Sequence, residues 1–298
     1  MLKIVEKFKF TCLVPVVIIL IAAIMLVVHG GFYQDVDFIG GMTMYVDMGA
    51  DDIDLEKLGK FIEDNTPDGV NPTVQRSDGT QIAIKTTPID TEARDALQTA
   101  ILEEYSLPEE AILQVDNVSA TVGGELKAQA LQAALIAAVL MLVYITIRFE
   151  MRTGLAAIIC LIHDILIMIS VYAIFQIPIN SNFIAAILTI IGYSINNTIV
   201  VFDRIRENYG KNKRAPFAET VNMSLKQTIG RSINTTITTL LPVVMLFIFG
   251  VTSIRQFPIP LMVGLVAGTF SSVFLAGPIW VMMKNLQAKR KHKKAAAR

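Results

Sequence analysis

Six long apolar runs dominate the hydrophobicity pattern of this chain. Each has about the length that an α-helix needs to cross a bilayer. The runs cover residues 10–28, 128–147, 155–174, 183–202, 233–250 and 258–283. A polar stretch at 30–125 separates the first run from the other five. The pattern therefore predicts a polytopic α-helical membrane protein with six transmembrane helices and one soluble domain between helices 1 and 2.

The first apolar run could also belong to a signal peptide, which is removed during export. The residues that follow it, His29, Gly30 and Gly31, do not form the small-x-small sequence at which signal peptides are cleaved. We therefore interpret this run as an uncleaved first helix.

The soluble stretch alternates between strand-like and helix-like patterns. Four short segments have the pattern of strands: 42–48, 70–76, 81–86 and 111–118. Two further segments, 53–64 and 91–105, repeat apolar residues at helical spacing. Ser77, Asp78 and Gly79 predict a hairpin turn between the second and third strands. The order βαββαβ predicts an α+β ferredoxin-like domain. The uncovered face of its sheet could bind a partner; alternatively, the domain is only a spacer.

Composition agrees with a membrane location, because 53% of the residues are hydrophobic and only 17% are charged. The formal net charge of zero hides a segregation, since residues 30–127 carry 20 acidic and 6 basic side chains. With both chain ends on one side, that side receives 19 of the 26 lysines and arginines. Basic residues favour the cytoplasmic side. We therefore expect a multi-pass protein of the cytoplasmic membrane with both termini cytoplasmic, and with the acidic domain, the 176–182 loop and Arg255 outside.

The expected organisation has four parts. They are the cytoplasmic N-terminus with helix 1 (1–29), an extracytoplasmic ferredoxin-like domain (30–125), helices 2–6 (126–283) and a basic cytoplasmic tail (284–298). The tail is expected to anchor the topology and to contact anionic lipid. Trp280 is expected at the inner membrane interface. The small residues of the last helix predict a close-packing face, which would meet either its own neighbours or another protein.

Polar residues interrupt the fourth apolar run. The segment GYSINNTIVVFDRIREN (192–208) carries Ser194, Asn196, Asn197 and Thr198 among apolar residues. Such side chains are costly in a membrane and usually face other helices or a water path. The charged end of the segment, at 203–207, is interpreted as a helix cap and anchor.

Asp164 is the only carboxylate within the six apolar runs. A charge at this depth costs about 2.5–3.5 kcal/mol, so it must be paired, protonated or hydrated. The side chain either accepts structural hydrogen bonds or titrates in an ion path. Its neighbour His163 points about 100° away around the helix, so the two residues are not expected to share a partner.

Arg231 lies near the inner end of the fifth apolar run and precedes three threonines at helical spacing. One interpretation is an interfacial arginine whose side chain extends to the headgroups. The other is a polar contact within the membrane, because Asn196 and Asn197 are expected at a similar depth. These amides can donate and accept hydrogen bonds but cannot neutralise the guanidinium charge.

The sequence contains no Walker A loop, no metal-spaced cluster of cysteines and histidines, and no nucleophile elbow. Cys12 and Cys160 both fall within apolar runs, as inert membrane thiols do. We therefore expect neither an enzyme nor a cofactor, a metal or a nucleic-acid partner. If the protein performs work, its energy comes from an ion gradient or from a partner protein.

The same segments resemble the SecD–SecF family of protein-export membrane proteins, which lies within the resistance-nodulation-division superfamily of proton-driven transporters. GYSINNTIVVFDRIREN is similar to the fourth-helix signature of the SecF half. Further similar segments follow the family order along the chain: VDFIGG (36–41), RFEMRTGLAAIICLIHDILI (148–167), SLKQTIGRSINTTITTLLPV (224–243) and GLVAGTFSSVFLAGP (264–278).

This resemblance implies six helices with a ferredoxin-like outer domain, and a subunit that works beside a SecD half and the SecY-E-G channel. SecA and a YidC-type insertase would be further partners within the complex, and the translocating substrate would be an unfolded polypeptide. The implied mechanism uses protons crossing between the two six-helix halves to move the outer domains, which promotes late stages of export.

The resemblance also implies five ion-coupling candidates. Arg231 matches the family's membrane arginine, Asp164 matches the aspartate of its His-Asp pair, and Asn196 and Thr198 match the ends of its Asn-Asp-Thr signature. Asn197 departs from the family, which has an aspartate there, and an amide cannot bind and release a proton near neutral pH.

Three explanations of Asn197 stay open at this point. Asp164 or a carboxylate of the SecD half could couple protons with Arg231. The ion could be sodium, because an amide carbonyl can coordinate it. The protein could also be an uncoupled structural or assembly subunit. A small-molecule exporter half of the same superfamily is a further alternative, although such exporters usually need two six-helix halves and large outer domains.

Overall fold

The computed structural model describes residues 3–50, 52–67, 69–70, 72–77, 79–118, 120–148, 150–250 and 256–296. Asp78 of the predicted turn and Arg255 of the predicted outer loop lie outside these residues. The helices are α1 Phe8–Val28, α2 Val36–Ile39, α3 Leu55–Asp64, α4 Thr91–Glu104, α5 Ala120–Arg148, α6 Met151–Phe175, α7 Ser181–Lys211, α8 Phe217–Phe249, α9 Pro258–Ser271 and α10 Gly277–Ala296. The strands are β1 Gly41–Asp47, β2 Thr73–Arg76, β3 Gln81–Thr86 and β4 Ile112–Val118.

The six predicted transmembrane helices are confirmed as helices long and apolar enough to span a membrane. The spans are α1, α5, α6, α7, α8 and a last span built from α9 and α10. Helices α7 and α8 extend well beyond their apolar runs, because the polar residues between the runs remain helical. Ion pairs at helical spacing support the α7 extension, where Glu207 pairs with Arg204 and with Lys211.

The core of the membrane domain lies between α6, α7 and the last span. The apolar part of α7 is 50% buried and that of the last span is 61% buried, whereas α5 is only 6% buried. Helix α9 packs against α6, α7 and α8, and α1 packs against the outside of α6. Helices α1, α5 and α8 therefore form the periphery, with most of their surface available to lipid or to another protein.

The small residues of the last span make the close approach of α7 and α8 possible. A Cβ atom at Gly264 would overlap the side chain of Ile190, and one at Gly268 would lie 3.1 Å from Ser194 Cβ. A Cβ atom at Gly277 would lie 2.8 Å from Val221 Cγ1. Of the two predicted uses of this face, these glycines serve internal packing.

A π-helical turn, Ser272–Ala276, separates α9 from α10 within the last span. The apolar run alone gives no sign of it. A π-turn widens the helix locally by one extra residue and is frequent at functional sites. Ser271, which directly precedes this turn, is fully buried.

The predicted ferredoxin-like domain is confirmed as a four-stranded antiparallel sheet with the strand order β2-β3-β1-β4. Asp54 and Asp90 cap α3 and α4 by accepting backbone N–H bonds of their first turns. The core between the sheet and these helices contains Met42, Met44, Val46, Leu58, Ile62, Ile84, Leu97 and Ile101. Strand β2 is shorter than predicted because it begins after Pro72, which has no N–H to donate.

The polar face of the sheet looks toward the membrane domain across a cavity of about 150 Å³. Gln34 forms a parallel bridge with Ile179 in the α6–α7 loop. Lys85 Nζ on β3 lies 2.7 Å from Asp35 Oδ2, and the backbone N–H of Ser181 donates to Asp37 Oδ2 at 2.9 Å. The segment 34–37 therefore connects the outer domain to the first turn of α7.

One local prediction was wrong. Residues 203–207 lie inside α7, which continues to Lys211, so they do not cap a helix. Trp280 lies near the inner end of the last span, as expected, but it is buried in protein, because only 7% of the residue is exposed. Its ring packs edge-on against Phe202 and Phe217 at centroid distances of 5.3 and 5.2 Å. Aromatic neighbours from α7 and α8 thus cover a residue that composition alone would place at the headgroups.

The glycine contacts generate a stability prediction. Gly264→Ala should destabilise the membrane domain by about 1–3 kcal/mol, because the new methyl group would overlap Ile190. Gly192→Ala is the matched control, since no atom lies within 4 Å of the position that its new Cβ atom would take. Thermal unfolding of the detergent-solubilised chain, followed by circular dichroism, measures both. Equal midpoints for the two variants would contradict the close packing of α9 on α7.

Candidate functional site

Asp164, near the middle of α6, is fully buried and is surrounded by polar side chains from three helices. The hydroxyl of Ser194 on α7 donates to Asp164 Oδ2. The hydroxyl of Ser271 on α9 donates to the same oxygen at 3.0 Å. His163 Nδ1 lies 2.8 Å from Asp164 Oδ1. A carboxylate at this depth therefore has hydrogen-bond partners on both oxygens, which its burial requires.

His163 and Asp164 were not expected to share a partner, and the structure instead brings their side chains into contact with each other. Although consecutive residues diverge around a helix, the imidazole bends back to the adjacent carboxylate and stacks on Phe270 at a centroid distance of 5.9 Å. Its Nε2 atom has no hydrogen-bond partner among the described residues. One ring nitrogen thus meets the carboxylate, and the residue lines the groove between α1, α6 and α9.

Further hydroxyl groups extend this polar layer from α7 to α8 and α9. The phenolic hydroxyl of Tyr193 donates to Thr236 Oγ1 at 3.3 Å. Thr236 Oγ1 and Thr269 Oγ1 lie 2.5 Å apart. Since Tyr193 precedes Ser194 and Thr269 lies two residues before Ser271, these contacts continue the polar surroundings of Asp164 toward α8. We call this group of residues the polar layer: His163, Asp164, Tyr193, Ser194, Thr236, Thr269 and Ser271.

Asn197, Thr198 and Ser232 adjoin the polar layer and are buried, with 4%, 1% and 2% exposure. Asn197 Nδ2, Thr198 Oγ1 and Ser232 Oγ have no hydrogen-bond partner among the described residues. Asn197 and Thr198 follow Ser194 by three and four positions, so they lie on the same side of α7, one turn farther from the outer domain. Unpaired buried polar groups of this kind are rare in proteins and often mark functional positions.

Asn196 and Arg231 lie at the outside of the membrane domain, and both are exposed. The Tyr193–Thr236 contact fixes the relative depth of α7 and α8. With a rise of 1.5 Å per residue, Asn196 lies about 4.5 Å farther from the outer domain than Tyr193 on α7. Arg231 lies about 7.5 Å farther from the outer domain than Thr236 on α8. The predicted similarity in depth is therefore present, whereas no hydrogen bond or ion pair joins Arg231 to Asn196, Asn197 or Asp164 among the described contacts.

Sequence reasoning found Asp164 and the polar part of α7 but missed most of the groups that surround the carboxylate. Ser271 was visible only as a small residue of a packing face, and Tyr193, Thr236 and Thr269 were not singled out. Their signal in the sequence is a hydroxyl at helical spacing in otherwise apolar helices. Many such hydroxyls only donate to their own helix backbone, as Ser170 does to Leu166 O at 2.7 Å.

The part of the chain that the structure describes contains no group of three His, Cys, Asp or Glu residues positioned to hold a metal ion. The polar layer holds two ionisable side chains, Asp164 and His163, among hydroxyl groups that can donate or accept hydrogen bonds. The fold and this site define a multi-pass membrane protein with an ionisable group held among its central helices and a ferredoxin-like domain at one end.

Comparison with known proteins identifies the family. The family described as "Protein export membrane protein SecD/SecF, C-terminal" matches residues 98–286. The protein translocase subunit SecF of Sebaldella termitidis is 38% identical over 269 residues, which are 89% of this chain and 86% of that protein. The SecF subunit of Petrotoga mobilis is 34% identical over 98% of both chains. The chain belongs to the SecD/SecF family of protein-export membrane proteins, as its sequence segments predicted.

A solved structure supports the same assignment at the level of the fold. The crystal structure of SecDF, a translocon-associated membrane protein from Thermus thermophilus, superimposes with a TM-score of 0.84 at 31% identity. The match covers 94% of this chain and 38% of that chain. A second structure of SecDF, in a super-membrane-facing form, gives a TM-score of 0.70. The chain therefore spans about two fifths of the length of SecDF.

The hydroxyl contacts generate a prediction with a matched control. Ser271→Ala should destabilise the chain by about 1–3 kcal/mol, because it removes a donor from a fully buried carboxylate. Ser272→Ala should cost less, because the neighbouring hydroxyl donates only to Thr269 O of its own helix. Chemical or thermal unfolding in detergent compares the two. The role of Ser271 is refuted if its removal costs no more than that of Ser272.

Proposed function

We propose that this protein is an accessory subunit of the Sec protein translocase that works beside a SecD-type half and uses an ion gradient to promote late stages of protein export. The observation that carries the proposal is Asp164, a fully buried carboxylate hydrogen-bonded by side chains of α6, α7 and α9. Relatives named as SecF and SecDF translocase subunits support the assignment to protein export.

The surroundings of Asp164 suit a group that changes protonation. A serine hydroxyl rotates freely and can donate to a carboxylate or accept from a carboxylic acid. Ser194 and Ser271 can therefore satisfy Asp164 in either state without a change of backbone. His163 adds a second group that can hold a proton at the same place. Proton uptake and release at this pair is the chemical step that we assign to the polar layer.

The SecD-type half is proposed to cover the exposed face of α7 and α8. Helix α8 presents Arg231 on a peripheral surface, and Asn196 lies at nearly the same depth on α7. A charged side chain facing lipid is unfavourable by about 2.5–3.5 kcal/mol. A partner half that brings a carboxylate or further polar groups to this face would remove that penalty. In this arrangement Arg231 meets its counterion across the interface rather than within the chain.

Helix α7 provides a direct connection between the polar layer and the outer domain. Its first residue, Ser181, donates its N–H to Asp37, and Ser194 touches Asp164 about 20 Å farther along the same helix, at 1.5 Å per residue. A shift of α7 that follows a change at Asp164 would move the segment 34–37 and the sheet paired to it through Lys85. We infer that this connection moves the outer domain against an emerging polypeptide.

The proposed orientation places both termini in the cytoplasm, because the basic residues collect at the end of the membrane domain opposite the outer domain. We retain the expected organisation of the chain in four parts. They are the N-terminus with the first helix (1–29), the outer domain (30–125), the other five transmembrane helices (126–283) and the basic tail (284–298). The SecY-E-G channel would be the complex to which the two halves attach. SecA and a YidC-type insertase are expected to act through that complex, and the chain itself has no proposed nucleotide or cofactor.

Among the explanations for Asn197, the geometry favours proton coupling through Asp164. Asn197 is buried one turn from Ser194, but its Nδ2 atom has no partner and the surroundings offer no cluster of carboxylates among the described residues. Sodium usually requires several oxygen ligands, as other hard cations do. Asn197 and Thr198 are better placed to line the approach to Asp164 from the end of the membrane domain opposite the outer domain.

The substitution Asn197→Asp tests the assignment of the ion. If Asp164 carries the coupling, restoring the family's usual carboxylate should leave proton dependence in place, with a change in rate of less than about tenfold, the size of one altered hydrogen bond. The measurement is post-initiation export of a secretory precursor into vesicles under imposed proton or sodium gradients. A switch from sodium to proton dependence would instead assign the native site to sodium.

Asp164→Asn tests the coupling itself, with Asp203→Asn as the matched control. Asp203 undergoes the same chemical change but is exposed on the extension of α7. We expect Asp164→Asn to abolish gradient-stimulated export and Asp203→Asn to leave it unchanged, with both variants present at wild-type level in the membrane. If Asp164→Asn retains full stimulation, the ion-coupling role is wrong and the protein is an assembly subunit or a small-molecule exporter half. Copurification with a SecD-type chain would then support the assembly subunit.

A further inference from the structure

A second polar cavity lies at the end of the membrane domain opposite the outer domain. It has a volume of about 240 Å³ and is lined by Arg148, Glu150, Thr153, Arg206 and Trp280. These residues come from the end of α5, the start of α6, the extension of α7 and the first turn of α10. None of them belongs to the polar layer. We call this space the basic-end cavity.

Trp280 is the first reason to assign a ligand to the basic-end cavity. The residue is 93% buried, since 7% is exposed, and its ring is fixed between Phe202 and Phe217. Its only polar side-chain atom, the indole Nε1, is buried and has no hydrogen-bond partner among the described residues. A buried indole N–H usually finds an acceptor, and it can only donate. The wall of the cavity therefore contains an N–H group that has no acceptor among the described residues.

The other groups of the cavity also favour an acceptor that carries negative charge. Arg206 forms no hydrogen bond or ion pair among the described contacts, and Arg148 supplies a second positive charge against the single carboxylate of Glu150. The first turn of α6, a helix of 25 residues, begins at the same place, and the Glu150 side chain makes no capping bond to it. Free N–H groups at a helix start favour anions.

The position of the cavity identifies the source of the anion. Ile147 and Met151 flank the α5–α6 junction and are 83% and 62% exposed. These side chains give an apolar surface beside a cluster of cationic and N–H donors, which matches a molecule with a charged head and apolar tails. Arginine presents a planar fork that suits phosphate oxygens. A bilayer supplies phosphodiesters at this depth, where spanning helices end.

We propose that the basic-end cavity binds the phosphate of an anionic phospholipid. The phosphodiester accepts hydrogen bonds from Arg206, from the first turn of α6 and from the Trp280 indole, and the acyl chains lie along Ile147 and Met151. The bound lipid joins α5, α6, α7 and α10 at one point. This site is separate from the basic tail, and it does not depend on the proposed role in export.

The chain contains a single tryptophan, so its intrinsic fluorescence reports on this cavity alone. The full-length protein in neutral detergent is titrated with phosphatidylglycerol that carries brominated acyl chains, and separately with brominated phosphatidylcholine. We expect saturable quenching of Trp280 by the anionic lipid at concentrations at least about fivefold lower than by phosphatidylcholine, because both lipids carry the phosphodiester but the arginines repel the choline ammonium of phosphatidylcholine. Equal quenching by both lipids would overturn the proposal.

Two substitutions distinguish lipid binding at a specific site from general electrostatic attraction of the anionic lipid to the protein. Each removes one positive charge. Arg206→Gln should raise the half-quenching concentration of phosphatidylglycerol by about fivefold or more. Arg214→Gln, in the α7–α8 loop and not part of the cavity lining, should change it by less than about twofold. The same loss in both variants would reduce the effect to net charge and would contradict a built site.

Two further measurements identify the ligand source and the role of the indole. Inorganic phosphate added up to millimolar concentrations should not prevent lipid quenching; if it binds and blocks the lipid at micromolar concentration, the site belongs to a free phosphate instead. Trp280→Phe keeps an aromatic ring but removes the N–H donor. Native mass spectrometry of the folded variant should find less phosphatidylglycerol retained than on the wild-type protein. Wild-type retention would exclude the indole from the site and overturn the proposed geometry.

Discussion

The membrane domain depends on keeping one carboxylate hydrogen-bonded in a place that water does not reach. Asp164 is fully buried, and an unpaired charge there would be strongly unfavourable. The serine hydroxyls that satisfy it are short and come from α7 and α9, so these helices must approach α6 closely. Gly268, whose missing side chain leaves room for Ser194, permits that approach. The close packing of the last span and the chemistry of Asp164 are therefore parts of one arrangement.

The periphery of the fold follows a different constraint. Only part of the surface of helix α8 is buried in the core, and its Arg231 is exposed. Helix α7 has one side in the polar layer and another side exposed. Such a distribution is typical of a subunit whose folding within one chain leaves a surface for a second one. The outer domain is joined to the same α7 through Asp37, so the helix touches three structural parts: the domain, the buried carboxylate and the exposed face.

The sequence predicted those features that depend on local periodicity. Six apolar runs of spanning length and an alternating soluble stretch were enough to predict the six helices and the βαββαβ order, because each is set by neighbours along the chain. Asp164 stood out because a carboxylate in an apolar run is costly unless it is paired, protonated or hydrated. The contacts around it could not be read in the same way, since whether Ser271 donates to a carboxylate or to its own helix depends on distant packing. The burial of Trp280 was missed for the same reason: Phe202 and Phe217 cover it from other helices.

The π-turn Ser272–Ala276 has a geometric consequence for the last span. One extra residue rotates everything that follows by roughly 100° relative to an uninterrupted α-helix. Ser271 before the turn faces Asp164, and Gly277 and Trp280 after it face α7 and α8. A regular helix of the same sequence could keep only one of these two alignments. The π-turn thus acts as a phase adjustment: it takes up one residue that a regular α-helix could not accommodate without turning one half of the span away, so a single span presents the correct side to two different sets of neighbours.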